Sequence, residues 1–396
     1  MTLIESCWMV FTWLGLFRPT KWKGLKARIY DLYTASVLFF NYSFFICGVM
    51  DIDFTHLNFF ADIDLITLML QYIENTPKIL CMILSRNALI EIDFKLQNDH
   101  FKLKDEDEKK IQSKFDKFSR YVLLAYSTLQ ATSLVYYTTG RILAMESPVI
   151  LPYRSRIPFN YSSSNKIYML TALDQLYSVS SLICINGAFN LVFTSTMYQI
   201  CTKIRILKHR FKVIIQQLEH NGEIDNNDNK NIRDVMRKND AMTDKIESQL
   251  IANWVESHIA LINLYDYAKC VFAKAVFIHY VINSIVMCTL AYILSHCEVD
   301  NIFFGNVCYF SVKCTQQFLQ CSSAHQITLE FEDLRDMIFS TNWFATKINI
   351  QKSIIIIMSK SIVPIEFVSG YFVTLSLDSF KRILKLSYTI YNVLEG

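Results

Sequence analysis

Histidine and cysteine are the side chains of this sequence best suited to catalysis or metal binding, and their spacing favours neither. The 8 histidines and 11 cysteines are scattered, with no Cys-x-x-Cys pair and no spacing typical of a metal site. The sequence also has no phosphate-binding glycine loop, no Gly-x-Ser-x-Gly and no His-Glu-x-x-His. His325 and Glu330 are close neighbours, but such a polar pair is more typical of a helix end. We therefore predict no catalytic residue, no metal site, no cofactor and no enzyme activity.

The composition indicates a membrane environment instead. Hydrophobic residues make up 52% of the 396 residues and charged residues 19%, whereas soluble domains carry about 25% charged residues. The 29 Phe and 21 Tyr suit lipid contact and apolar pockets. The 9 Gly and 6 Pro are too few for a loop-rich β architecture. The net charge of +3 is too small to indicate a nucleic-acid partner, so we expect membrane lipid as the surroundings.

Four stretches are apolar and long enough to cross a bilayer, which takes about 20 mostly apolar residues. They are 32–50, 121–140, 175–202 and 274–297. Three further stretches are apolar but interrupted by charged residues or proline, namely 57–84, 301–329 and 354–394. The sequence thus predicts an all-α membrane protein with seven transmembrane helices.

The placement of lysine and arginine predicts the orientation of these helices. Basic residues are dense in the amino-terminal segment, in 85–120 and in 203–245, whereas 51–56 and 296–301 contain none. The positive-inside rule then places the amino terminus in the cytoplasm, and seven crossings place the carboxyl terminus outside. We expect no cleavable signal peptide, because the basic cluster follows the first apolar run rather than preceding it.

The predicted spans and the segments between them divide the chain into three parts. Residues 1–29 are expected to form a cytoplasmic and interfacial segment, 30–335 the first six helices, and 336–396 a cytoplasmic re-entry segment and the seventh helix. Within the middle part, 85–120 and 203–268 read as helical extensions of the spans. Their apolar stripes need cover, so we expect them to pack together as an anchor domain between subunits. Solvated extensions are the alternative.

Two features fall on the predicted external side. Asn160 begins the tripeptide Asn-Tyr-Ser, a glycosylation sequon in the loop predicted to be external. Cys297 and Cys308 flank the third external loop and either form a disulfide or remain two thiols. The other cysteines lie in spans or on the cytoplasmic side, where thiols stay reduced.

The carboxyl-terminal quarter carries several short motifs in a fixed order. They are Trp343-Phe344, the basic and aliphatic run 351–361, Pro364, Gly370-Tyr371-Phe372, Ser376-Leu377-Asp378-Ser379-Phe380 and Leu384-Lys385-Leu386-Ser387-Tyr388. In order and spacing they resemble the insect odorant receptor family. Leu151-Pro152 is similar to a further family element, and Phe339 stands where the family usually has tyrosine. The motifs cover about 55 residues, and the seven-helix layout extends the resemblance over the rest of the chain.

Related and rival classes fit the sequence less well. Gustatory receptors share the layout but end in a Thr-Tyr…Gln-Phe signature, and the last helix here has no Gln-Phe. The family's co-receptor has a longer second cytoplasmic segment, so the chain resembles a ligand-tuned receptor. A G-protein-coupled receptor would need the opposite topology and its Asp-Arg-Tyr and Asn-Pro-x-x-Tyr motifs. A secondary transporter would be expected to show internal repeats.

The resemblance implies the ligand-binding subunit of a heterotetrameric, odorant-gated, non-selective cation channel. Its partners would be co-receptor (Orco) subunits and permeant cations, in the plasma membrane of an olfactory sensory neuron. The last helix would line the pore, with Thr389, Val393 and Gly396 recurring on one face. Val393 would form a hydrophobic ring that closes by dewetting, and Glu395 would favour cations. Ordinary helix packing is the alternative for Val393.

The resemblance also implies a site for a small volatile odorant between spans two, three, four and six. The residues at that depth recur at helical spacing, and they are Met69, Tyr72, Ile73, Ser133, Tyr136, Tyr137, Gly140, Tyr177, Ser178, Ser181, Tyr309 and Phe310. Such a pocket binds by shape and dispersion with one or two hydrogen bonds. We expect about half of the set to touch ligand. Lys313, one turn deeper, is expected either to pair with a carboxylate or to mark the pocket floor.

Overall fold

The computed structural model describes residues 3–19, 21–52, 59–143, 150–227, 233–296, 301–370 and 373–395. These residues are mostly helical. The helices are α1 (Leu3–Trp13), α2 (Leu25–Val49), α3 (Phe59–Leu84), α4 (Arg86–Leu96), α5 (Glu106–Leu143), α6 (Asn165–Asn227), α7 (Arg233–His296), α8 (Asn301–Ser340), α9 (Ile348–Lys360) and α10 (Leu377–Glu395). Strands β1 (Val368–Ser369) and β2 (Val373–Thr374) form a two-stranded antiparallel sheet between α9 and α10.

Within the described residues, three helical segments are long and apolar enough to cross a membrane by length and composition: Leu25–Val49, Asn165–Leu218 and Ile246–Ser295. They contain the predicted first, fourth and fifth spans. The second, third and sixth predicted spans fall in α3, α5 and α8, and the seventh covers the end of α9, both strands and most of α10. The all-α prediction is thus confirmed, while the number of crossings and their orientation stay predictions.

The helices α6 and α7 continue far beyond a bilayer thickness. They contain 63 and 64 residues, and a rise of about 1.5 Å per residue makes each more than 90 Å long. The segment 203–268 is therefore helical on both sides of the undescribed residues 228–232. Its two parts are continuous with the helices that hold the predicted fourth and fifth spans.

The helix α6 lies at the centre of the bundle, where it packs against α3, α5, α7 and α8. One hydrophobic core runs from Phe189 in the bundle through Leu207 to Trp254 in the extensions. The indole Nε1 of Trp254 donates a hydrogen bond of 2.9 Å to the Leu207 carbonyl oxygen, which joins the extensions of α6 and α7. The extensions therefore cover each other's apolar stripes within one chain.

Charged contacts fasten the beginning of α5 to the extension of α6. Arg210 Nε lies 2.7 Å from Glu108 Oε1, and its Nη1 donates to the His100 carbonyl oxygen at 2.7 Å. Burial acts to raise the pKa of Glu108, but the bonds from Arg210 and the Lys104 backbone N–H, together with the nearby positive charge, outweigh it and lower that pKa. The ion pair thus holds the two cytoplasmic segments predicted from the sequence against each other.

The seventh predicted span is interrupted as its proline and glycine indicated. α9 ends at Lys360 and α10 begins at Leu377, with the β1–β2 sheet between them. Gly370, between these strands, has φ +59°, and a Cβ at this position would lie 2.4 Å from the Phe277 ring of α7. The close approach requires glycine here. This contact between Gly370 and Phe277 fixes the position of the segment that leads into α10.

Candidate ligand site

Two adjoining cavities lie in the helical bundle, an inner one between α3, α5, α6 and α8 and an outer one between α3, α5 and α8. The inner cavity, of about 30 Å³, is lined by Leu68, Gln71, Gln130, Ser133, Tyr137, Val179, Ile183, Asn186, Tyr309, Val312, Lys313 and Gln316. The outer cavity, of about 1010 Å³, is lined by Asp64, Ala131, Thr132, Val135, Tyr136, Tyr137, Thr139, Gly140, Arg141, Leu143, Gly305 and Asn306. Tyr137 lines both, so the two cavities adjoin at this side chain. The outer cavity lies near the end of α5 and the beginning of α8, and the inner cavity is deeper in the bundle.

Five of the twelve predicted ligand residues line these cavities. Ser133, Tyr137 and Tyr309 line the inner cavity. Tyr136, Tyr137 and Gly140 line the outer cavity. The rings of Tyr137 and Tyr309 approach to 6.4 Å between centroids. The structure thus brings α5 and α8 residues together at one aromatic boundary.

The other predicted residues lie around this region without lining either cavity. Met69 and Tyr72 are buried in a cluster with Phe44 and Tyr153. Two serines of α6 are also buried, and Ser181 Oγ donates to Asn41 Oδ1 at 2.9 Å. The remaining members are Ser178, which is fully buried, Phe310, which packs near α7, and Ile73 and Tyr177, which are 46% and 44% exposed.

A cluster of ionisable side chains lies directly beneath the inner cavity. We call Glu74, Lys78, His279 and Lys313 the buried charge cluster, since none is more than 1% exposed. Lys78 Nζ and Lys313 Nζ donate to the two carboxylate oxygens of Glu74 at 2.8 and 2.9 Å. His279 Nδ1 lies 2.7 Å from Glu74 Oε1. Lys313 therefore both pairs with a carboxylate and lines the cavity.

The buried charge cluster extends into a chain of amides on α6 and α8. Asn186 accepts from Lys78 Nζ and donates to Glu74 Oε1, each at 2.8 Å. Asn190 Nδ2 donates to Asn186 Oδ1 at 3.0 Å, and Gln320 Nε2 donates to Asn190 Oδ1 at 2.7 Å. Such a network ties α3, α6, α7 and α8 together in a region of low dielectric constant, where hydrogen bonds are strong.

The sequence analysis did not assign the buried charge cluster to the site, although a signal was present. Glu74, Lys78 and Lys313 interrupt predicted spans, and ionisable groups inside spans normally face protein or water. What the sequence could not give was the pairing, because Lys313 is 239 positions from Glu74.

The loop between α5 and α6 is held over the outer end of the bundle. Arg154 pairs with Asp51 at 2.6 Å and with Asp62 at 2.7 Å. Tyr153 bonds through both backbone groups to the side-chain amide of Gln175, each at 3.1 Å. Arg141 lies 5.3 and 5.4 Å from the ring centroids of Tyr137 and Tyr153. The loop thereby packs the Tyr153 ring against Tyr137, with 6.0 Å between the ring centroids.

The residues predicted for the pore belong to α10. Thr389 is exposed, and its hydroxyl donates to the Lys385 carbonyl oxygen at 2.9 Å. Val393 and Glu395 fall in the last turns of the helix, and Gly396 lies outside the described residues.

Of the residues predicted to lie on the external side, Asn160 and Cys308 are among the described residues. Asn160 lies before a short 3₁₀ turn, and its Oδ1 accepts from the Ser162 backbone N–H at 3.1 Å. Cys308 is half-buried in α8, whereas Cys297 lies outside the described residues.

A third cavity, of about 320 Å³, lies among the extensions, far from the predicted ligand residues. Its walls come from α7, α8, α9 and the segment after α9, with His258, Phe331, Ile356 and Pro364 among the lining residues.

Comparison with known proteins finds odorant receptors among the matches. A family model described as 7tm Odorant receptor matches residues 61–388. Odorant receptor 33a of Drosophila melanogaster is 20% identical over 275 residues, which cover 69% of this chain and 65% of the relative. Putative odorant receptor 19b of the same organism is 22% identical over 147 residues, 37% of this chain and 38% of the relative. The chain thus matches about two-fifths of the length of that relative.

Solved structures match over nearly the whole length. The insect olfactory receptor OR5 from Machilis hrabei has a TM-score of 0.79 at 14% identity, covering 99% of this chain and 97% of the other. The same receptor in complex with eugenol gives the same values. At this level of identity the likeness establishes the fold.

Proposed function

This chain belongs to the 7tm odorant receptor family, and on that premise we propose that it is the ligand-binding subunit of an odorant-gated cation channel. The observation that carries the proposal is the pair of cavities that adjoin at Tyr137. A volatile molecule that enters the outer cavity would contact α5 and α8, and α8 packs against the last helix.

The ligand is a small volatile molecule held mainly by shape and dispersion. Ligand sites in proteins usually measure about 300–1,000 Å³, and the outer cavity reaches that range. Tyr136, Tyr137 and Gly140 would contact the ligand there, and Ser133 and Tyr309 would contact any part that reaches the inner cavity. The other predicted residues lie around the two cavities without lining them, and they are Met69, Tyr72, Ile73, Tyr177, Ser178, Ser181 and Phe310. The related Machilis receptor has been solved with eugenol, itself a small molecule.

The pore is lined by α10 from several subunits. In this helix Lys381, Arg382, Lys385 and Asn392 are exposed, while Ile383 is buried against its own chain. Exposed charge of this kind in a membrane calls for water or another protein subunit rather than lipid. Val393 would form the gate, with Thr389, Glu395 and Gly396 on the same pore.

Contacts between α10 and its neighbours offer a route from the cavities to the pore. The Phe318 ring of α8 meets the Phe380 ring of α10 at 5.6 Å. The Tyr280 hydroxyl of α7 donates to the Ser379 carbonyl oxygen at 3.3 Å. A ligand that binds the open state more tightly would shift these helices, and with them the gate.

The assembly we propose is a heterotetramer with co-receptor subunits in the plasma membrane of an olfactory sensory neuron. Seven helices would cross the membrane with the amino terminus inside, permeant cations would pass through the pore, and Asn160 would carry the glycan outside. The packed extensions of α6 and α7 would serve as the anchor domain between subunits. A disulfide between Cys297 and Cys308 would close the third external loop.

The test is to record ligand-evoked current from cells that express the chain with and without the co-receptor, in the presence of a G-protein blocker. A rapid cation current that survives the blocker supports the channel. A current abolished by the blocker would favour a G-protein-coupled receptor, and substrate-coupled flux without channel openings would favour a transporter. A response to tastants alone would favour a gustatory receptor.

A further inference from the structure

The buried charge cluster holds more positive than negative formal charge. With His279 neutral, Glu74 faces two lysines and the formal charge is +1, and protonation of His279 would raise it to +2. Both oxygens of Glu74 already accept hydrogen bonds. Because buried charge away from water is costly unless compensated, the cluster favours the arrival of a negative group.

Lys313 is the member of the cluster that lines the inner cavity. Its ammonium has three N–H donors, and within the described part of the chain it donates to Glu74 Oε2 at 2.9 Å. Donor capacity therefore remains on the side of the cavity. Lys78 is fully buried and uses its ammonium on Glu74 and Asn186, with His279 Nδ1 also at 2.8 Å.

A second, independent donor faces the same space. The Tyr309 hydroxyl has no hydrogen-bond partner among the described residues, and Tyr309 lines the inner cavity beside Lys313. The Lys313 ammonium lies 5.7 Å from the centre of the Tyr309 ring. An acceptor placed in the inner cavity can thus take hydrogen bonds from both side chains.

An unpaired acceptor also borders the cavity and sharpens the choice of ligand. Gln316 Oε1 has no partner among the described residues. It would suit the hydroxyl of an alcohol, but it would not bond a carboxylate. A charge-assisted bond from the Lys313 ammonium is about twice as strong as a neutral bond, and a carboxylate also offsets the positive charge. The balance therefore favours an acid over an alcohol.

The sizes of the two cavities fix the shape of the ligand. The inner cavity, of about 30 Å³, has room for about two water molecules, which suits a carboxylate head group and little else. The outer cavity is far larger, and Ala131, Val135 and Leu143 give it apolar walls. A ligand that lies past Tyr137 would place its polar end inward and its chain outward.

We propose that the ligands of this receptor are short-chain aliphatic carboxylic acids. The carboxylate binds Lys313 Nζ and the Tyr309 hydroxyl in the inner cavity, and the alkyl chain lies in the outer cavity. This inference rests on the proposed function, because it assigns the ligand class of the same site.

The test compares ligands that differ only in the head group. Butanoic, hexanoic and octanoic acids are applied to the channel beside the alcohols and methyl esters of the same acyl chains. The wild type should respond to at least one acid at concentrations about tenfold or more below those of its alcohol and ester. Equal sensitivity to the three head groups at every chain length would overturn the inference.

Two variants of the site separate charge from hydrogen bonding. Lys313→Gln should raise the half-maximal concentration of the acid about tenfold or more and change that of the alcohol much less. Tyr309→Phe should produce a smaller loss, about three- to tenfold, again for the acid. Lys313→Arg keeps the charge and should retain most of the preference. Lys110→Gln makes the same change at an exposed position near the beginning of α5, outside both cavities, so it is the matched control and should leave the preference unchanged.

A direct binding measurement tests the acid site independently of the channel function. Sodium hexanoate should raise the melting temperature of the purified wild-type protein, and Lys313→Gln should abolish the rise. If every odorant fails to evoke current but hexanoate still stabilises the wild type selectively, the channel proposal fails and the acid site stands. If alcohols evoke current and no acid binds, the channel stands and the acid site is wrong. Surface biotinylation identifies variants that fail to fold, and for these the wild-type comparison decides.

Discussion

Glu74 is the residue on which the interior of the bundle depends most. Its carboxylate lies between two lysine ammonium groups and a histidine ring, all of them buried. Buried ion pairs contribute little net stability by themselves, because desolvation offsets their attraction. Removing only one partner of such a pair is strongly destabilising, because the partner left behind is a buried charge without compensation.

We expect Glu74→Gln to destabilise the protein by about 3–5 kcal/mol, because Lys78 and Lys313 would keep their charge without a counter-ion. The measurement is the melting temperature of the protein purified in detergent, together with its amount at the cell surface. Glu91→Gln is the matched control, because Glu91 pairs with Lys95 at the surface. The double variant Glu74→Gln, Lys313→Gln should recover part of the loss. Similar melting temperatures for the two single variants would contradict this account.

Individual residues of the site also show how far it could be predicted from the sequence. Tyr136, Tyr137, Gly140, Ser133 and Tyr309 were predicted for the site, and they line its cavities, because helical spacing fixes which residues share a face. The buried charge cluster and the amides of α6 and α8 that extend it were not predicted as one unit. Its members come from α3, α6, α7 and α8, and spacing within one helix carries no information on which side chains of different helices meet.

At the scale of elements, the joint between α9 and α10 is the most tightly specified. Gly370 has a positive φ, and its Cα faces the ring of Phe277 on α7. Ser369 Oγ donates to the Ala273 carbonyl oxygen at 2.6 Å, which fixes the same segment against α7. The direction of α10 is therefore set by contacts with α7 before its first turn begins.

Gly370→Ala should destabilise the protein by about 2–4 kcal/mol, because the added methyl group meets Phe277 and the backbone stays in the left-handed region. The double variant Gly370→Ala, Phe277→Ala removes the clash and should be less destabilised than the sum of its single variants. Melting temperatures of the three purified proteins test this, and strict additivity would argue against the contact. Gly140→Ala is the control, since nothing lies within 4 Å of a Cβ there.

The extension of α7 carries a residue whose protonation is coupled to folding. Burial lowers the pKa of His258 from its ordinary value of 6.5 to about 4. Its ring stacks on Trp254 at 5.4 Å. The unfolded chain therefore takes up a proton near pH 6.5 while the folded chain does so only near pH 4. The pKa difference makes the folded state less stable as the pH falls through this window and has no effect above it.

We expect this difference to cost about 3 kcal/mol of the free energy of unfolding on acidification from pH 7 to pH 4. The variant His258→Phe keeps an aromatic ring against Trp254 and removes the titration. Melting temperatures measured across this range should fall less steeply for the variant than for the wild type. Glu108 and other carboxylates also titrate at the acid end, but they contribute equally to both proteins. Parallel curves would contradict the prediction.

At the scale of the whole molecule, the polarity of α3 and α8 becomes understandable. Glu74, Lys78 and Lys313 make these helices poor transmembrane segments when each is considered alone, and neither is among the segments long and apolar enough by composition. In the bundle the same residues pair with one another away from lipid. The positions of the helices could be predicted from the sequence, because the length of an apolar run is read from consecutive residues. The reason for the charged residues in α3 and α8 could not be predicted, because it depends on how the helices pack together.

In α10, Lys381 pairs with Asp378 of the same helix at 3.4 Å, yet Lys381, Arg382 and Lys385 all stay exposed in the single chain. This makes the last turns of α10 the place to test the assembly. If four copies of α10 surround a pore and Val393 forms its narrowest ring, Val393→Ala should widen and wet the closed gate. We expect a basal current several-fold above that of the wild type and a lower half-maximal odorant concentration, because the closed state alone is destabilised. The measurement is whole-cell current before and during odorant, normalised to surface protein.

The matched control is Val281→Ala, which makes the same change on a partly exposed position of α7. It should leave the basal current unchanged, because α7 packs behind α10 and does not line the proposed pore. Restoring bulk with Val393→Ile should bring the basal current back to the wild-type level. An alanine variant with wild-type basal current and wild-type odorant sensitivity would place the gate elsewhere on α10. In that case the exposed face that includes Thr389 and Asn392 is the next region to substitute, because it carries the polar groups that water in a pore would contact.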